Sequence, residues 1–115
     1  MSKRDPRILL EDVLLAIEKV GRFTAGMDQQ TFLSDEKTID AVARNLEIIG
    51  EAVRQLPDDF KSAHADLPWN QIGGMRNRIV HDYFGLDLKI IWQVIHHDLP
   101  DLETRIRLLT LETPL

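Results

Sequence analysis

Cysteine is absent from the 115-residue chain, which excludes disulfides and thiolate metal sites and is compatible with a reducing compartment. No uninterrupted apolar run approaches the roughly 20 residues that span a bilayer. The start, Met1-Ser2-Lys3-Arg4-Asp5-Pro6, lacks the apolar stretch of a secretory signal, so a soluble cytoplasmic protein is expected. Alternating apolar–polar runs, internal repeats and low-complexity segments are missing too. Basic residues are the minority: 14 Lys and Arg face 19 Asp and Glu, a net charge of −5. That balance argues against a protein that coats nucleic acid through a broad basic surface. It leaves room for a nuclease whose cations are focused in one cleft, because steering depends on local potential.

What the chain does have is helical periodicity. At 43% hydrophobic content, residues 1–115 read as a single domain with a modest core. Asp5-Pro6 supplies a capping carboxylate and a first-turn proline. Leu9, Val13, Ala16, Ile17 and Val20 follow at three- and four-residue steps. Thr31-Phe32-Leu33 reads as a single turn, and Ser34 or Asp35 caps a helix whose stripe runs from Ile39 to Val53 before Pro57 stops it. Asp58 to Leu67 is expected as a short helix and loop anchored by Phe60 and Ala63, and Pro68 as the start of a turn carrying Trp69 and Ile72. The Gly73-Gly74 pair is expected to break or bend the chain before a helix from about Met75 to Gly85. Asp87 caps the last helix, with a seam from Leu88 to Leu109 and a kink at Pro100. The expectation is an all-α, antiparallel four-helix bundle with extra short helices.

The most informative stretch is Met75-Arg76-Asn77-Arg78-Ile79-Val80-His81-Asp82-Tyr83. Arginine is a permanent planar cation suited to phosphate, and histidine titrates near neutral pH. Cutting RNA without a metal needs both: the 2′-hydroxyl loses a proton, the leaving oxygen gains one, and the phosphorane needs its charge stabilised. Asn77 can orient the phosphate or the imidazole, and the Tyr83 phenol can donate a hydrogen bond or be modified. The plain alternative is a bundle helix whose polar groups satisfy one another. On a straight helix Asn77 and His81 share a face, whereas Arg76 lies about 140° from His81. Either Arg76 occupies an irregular helix start, where free N–H groups also favour an anion, or two chains contribute to one cleft.

The spacing Arg76-x4-His81-x-Tyr83, with polar Asn77 after the arginine, resembles the signature of the HEPN superfamily, specifically its HepT branch of toxin ribonucleases. Ile49-Gly50-Glu51-Ala52, Pro68-Trp69-Asn70-Gln71-Ile72, Ile91-Trp92-Gln93-Val94 and Leu99-Pro100-Asp101-Leu102 resemble that branch as well, so the likeness covers essentially the whole chain. It implies a HEPN-like homodimer with paired motifs facing each other, and a metal-independent endoribonuclease with Arg76, His81 and Asn77 as catalytic residues. It further implies a toxin–antitoxin pair. The partner is a minimal nucleotidyltransferase, called MntA in that family, which silences the toxin by transferring adenylyl groups from ATP to Tyr83. The alternative is a non-catalytic helical partner that binds a nucleotide or its nucleotidyltransferase through the same cleft.

Other side chains compete for notice. Glu51 is either a support that orients Arg76 or His81, or a solvated carboxylate paired with Arg44 or Arg54. His96-His97-Asp98 lacks ligand spacing, because adjacent helical residues diverge by about 100°. No cofactor or metal is expected, and neither DNA nor membrane as a partner. His64 is expected to be exposed, and Trp69 and Trp92 to serve as core or dimer contacts rather than stacking platforms.

Overall fold

A computed structural model describes residues 5–74 and 88–114. The expected motif helix, Met75 to Gly85, and the Asp87 cap lie outside the described residues. Helix α1 (Pro6–Phe23) begins as its sequence dictates, with the Asp5 carboxylate accepting the Arg7 N–H at 3.0 Å. It ends where the Thr24 hydroxyl donates to the Val20 carbonyl at 2.8 Å. Gly26 then turns the chain at φ +77°, a left-handed conformation that glycine adopts without penalty. Helix α2 (Gln29–Leu33) is a short element capped by Asp28, and its Phe32 is fully buried. Of the two cap candidates for α3 (Glu36–Gln55), Asp35 takes the role, accepting the Thr38 N–H at 3.1 Å. Ser34 instead closes α2, its hydroxyl donating to the Gln30 carbonyl.

Beyond Pro57, α4 (Asp58–Ala63) is followed by a turn and by α5, whose described part covers residues 69–74. Phe60 is half-buried against His64 and Trp69, but Ala63 is exposed and anchors nothing. Gly73 and Gly74 are helical and are the last described residues of α5; the expected break before Met75 lies outside the described residues. Gly73 is buried against α3, where a Cβ would stand 3.2 Å from Arg54 Cγ. Close helix approach, not a turn, is what this glycine serves.

The last helical run is α6 (Leu88–Gln93), a π-helical turn (Val94–Asp98) and α7 (Leu99–Glu112). The sequence suggests a kink at Pro100; the structure instead places the irregularity one turn earlier. Proline has no N–H to donate, and its ring collides with the carbonyl four residues back. The Leu99 N–H reaches five residues back to Val94 O, which widens the turn just before the ring. The seam survives the change: Ile91, Ile95, Leu99, Leu102, Ile106 and Leu109 are all buried.

Helix α1 lies between α3 and α7 and packs on both. Arg7 at its start donates to Thr113 O at 3.1 Å, while Val20 and Gly21 near its end share a groove with Ile95 and Leu99, so α1 and α7 run antiparallel. Leu9 and Asp12 likewise face Glu51 to Gln55 at the far end of α3, which makes that pair antiparallel too. Fully buried Leu9, Leu10, Val13, Ile49 and Ile106 fill the space between these helices; each such side chain stabilises the fold by roughly 1.5–3 kcal/mol. The three buried polar side chains among the described residues, Thr24, Asn45 and Thr110, donate to carbonyls four residues back on their own helices. The array is all-α, as the resemblance implies, with no strand among the described residues.

Candidate active site

Arg76, Asn77, His81 and Tyr83 lie outside the described residues, as do the immediate surroundings of their side chains. The structure does define the framework on either side. Upstream, α5 is pinned by Trp69, which is buried and donates its indole N–H to the His64 carbonyl at 2.9 Å. Leu67 and Ile72 are buried beside it. His64 is half-buried rather than exposed, its ring centroid 4.7 Å from that of Phe60. Gly73 seats the end of this support on α3. Downstream, α6 is locked by Trp92, whose ring centroid lies 5.3 Å from that of buried Phe32. The motif segment therefore joins two anchored helices, each held by a tryptophan used for packing.

Glu51 is exposed on the outer face of α3. With Asp12, Arg44, Glu47 and Gln55 it borders an open polar concavity of about 320 Å³ between α1 and α3. Arg44 pairs with Glu47 at 3.7 Å. His96 belongs to the π-helical turn; its ring stacks on Trp92 at 4.0 Å, and Nδ1 lies 3.0 Å from the Trp92 carbonyl. His97 and Asp98 are exposed beside it. The Asp28 carboxyl is held below the usual carboxylate range by the Thr31 N–H and then the Thr31 hydroxyl; this is a helix-cap effect.

Residues 13–109 match the family model described as Ribonuclease HepT-like. The chain belongs to that family. A HepT-like relative from Thermococcus cleftensis, named as a probable ribonuclease HepT, is 43% identical over 88% of this chain and 92% of its own. A candidate RNase of Caldanaerobacter subterraneus is 38% identical over 90% of this chain and 93% of its own. A third, a candidate RNase of Methanocaldococcus jannaschii, is 40% identical over 88% and 84% respectively. No solved structure matches. The matched stretch of this HepT-like chain contains Arg76, Asn77, His81 and Tyr83 as well as the packing residues on both flanks.

One residue that periodicity does not single out is Arg54. Among the described arginines, Arg7, Arg22, Arg44, Arg105 and Arg107 each pair with a carboxylate three or four residues away. Arg54 pairs with none among the described residues. Its i−4 neighbour is Gly50, and α3 ends at Gln55 before the i+4 position is reached. Glu51 stands three residues back, so the sequence alone offers a partner that the side chain does not take.

Proposed function

We propose that this HepT-like protein is a metal-independent endoribonuclease and the toxin of a toxin–antitoxin pair. Membership of the family, with an intact Arg-x4-His-x-Tyr pattern inside the matched stretch, carries this reading. His81 takes the proton from a 2′-hydroxyl, whose oxygen attacks the adjacent phosphorus. The 5′-oxygen leaves with a proton returned to it, and a 2′,3′-cyclic phosphate remains. Arg76 stabilises the charge on the phosphorane and Asn77 orients it. Two chains supply one cleft, which removes the angular mismatch between Arg76 and His81; Glu51 is a candidate supporting carboxylate. A minimal nucleotidyltransferase antitoxin transfers adenylyl groups from ATP onto Tyr83: the phenol oxygen gives up its proton and bonds to the α-phosphorus as pyrophosphate leaves. The bulk and negative charge it adds beside Arg76 and His81 exclude an RNA phosphate.

The deciding experiment incubates purified protein with RNA in excess chelator, beside His81→Ala. Cleavage to cyclic-phosphate ends that His81→Ala abolishes supports the mechanism. Full activity in His81→Ala would sink it, and chelator sensitivity restored by magnesium or manganese would end its metal independence. With the nucleotidyltransferase and ATP, wild type gains adenylyl mass on the Tyr83 peptide and Tyr83→Phe gains none. The net charge of −5 favours a second reading, a non-catalytic partner that binds a nucleotide or its nucleotidyltransferase. Absence of cleavage together with nucleotide binding would select it.

A further inference from the structure

The chain is acidic, and its described arginines are almost all neutralised by helical neighbours. Arg54 is the exception. Its aliphatic stem lies across Gly73, with Cγ 3.2 Å and Cδ 4.0 Å from where a Cβ would be. A side chain at position 73 would push the stem aside, so the buried glycine shapes a path for it over α5. Arg54 as a whole is exposed. Gly73 precedes Arg76 by three residues, and three residues of chain span at most about 10 Å. An exposed arginine without an ion pair among the described residues is thus laid along the helix that leads into the motif.

We propose that Arg54 is a substrate-binding residue that grips a backbone phosphate of RNA next to the scissile position. The assignment rests on the ribonuclease reading above. A phosphodiester chain fits because the head is a planar fork of donors that pairs with no carboxylate among the described residues. A carboxylate ligand would satisfy the same fork, but it would not repeat along a groove or give a salt slope that counts contacts. Arg54 supplies affinity and register, while the chemistry belongs to other groups.

The test measures binding of a 2′-O-methyl 20-nucleotide RNA, which lacks the attacking hydroxyl, by fluorescence anisotropy across a salt series. Each single-strand phosphate contact contributes about 0.7 to the slope of log Kd against log salt. Arg54→Gln should weaken binding about 3- to 10-fold and lower the slope by about 0.7. Arg54→Lys should restore the slope. Lys37→Gln, at the opposite end of α3, changes net charge equally and should leave the slope in place. On unmodified RNA, Arg54→Gln should raise KM and spare kcat. An unchanged slope in Arg54→Gln, or an equal loss in Lys37→Gln, overturns the role of Arg54 alone. A wild-type protein that neither binds the analogue nor cuts RNA defeats the ribonuclease reading, and this one with it.

Discussion

At the residue scale, single side chains decide where helices begin and how close they come. Asp5, Asp28 and Asp35 each accept an N–H of the helix they open, satisfying donors that would otherwise lack an intrahelical partner. For Asp28 this has a measurable pH signature. Its pKa is lowered in the folded protein, so its stabilising effect is complete above the unfolded value near 3.8 and is lost as pH falls through the lower folded value. The stability gap between wild type and Asp28→Ala should therefore be constant above about pH 5 and close under more acidic conditions. A carboxyl-carbon NMR titration should place the Asp28 midpoint below 3.8. A gap that widened on acidification would reverse the assignment. These caps are legible in the sequence because each acts within three residues of itself. Gly73 is not: glycine spells a break and a close approach with the same letter, and only the position of Arg54 separates them.

At the element scale, the short helix α2 is the tie between distant parts of the chain. Its five residues are too few to be stable alone, so tertiary packing holds it. Fully buried Phe32 does this by contacting Trp92 across α6. Phe32→Ala should cost about 3–5 kcal/mol and alter Trp92 emission, read by urea titration with fluorescence. A change below 1 kcal/mol would mean that α2 is an ornament of the fold. The long stripes of α1, α3 and α7 were legible because burial repeats at helical steps. The π-helical turn was not, since Pro100 forbids a regular ladder without saying how the chain avoids it. Hydrogen-bond register, not composition, selects a wider turn over a kink. The motif is legible as spacing alone, whereas the lack of an ion pair at Arg54 among the described residues depends on which side chains stand beside it in space.

At the scale of the whole molecule, a charge of −5 must coexist with binding a polyanion. Among the described residues, carboxylates pair with five of the six arginines, and the proposed phosphate contact falls to the sixth, Arg54. If paired motifs form one cleft, the protein is a dimer at micromolar concentration by light scattering; a monomer there would remove the shared-cleft geometry. No helix among the described residues is long and apolar enough to cross a membrane.

The bond from Arg7 to the Thr113 carbonyl also has a topological consequence. It brings the two ends of the described chain within one side chain of each other, so the backbone is nearly a closed loop. Joining residue 114 to residue 5 through a few glycines and reopening the chain at the exposed turn by Gly26 should give a permuted protein with the same helical circular dichroism. Its melting should remain cooperative, because the new ends fall in a turn and no buried helix is cut. Where this chain is opened would then be a matter of descent rather than of physics.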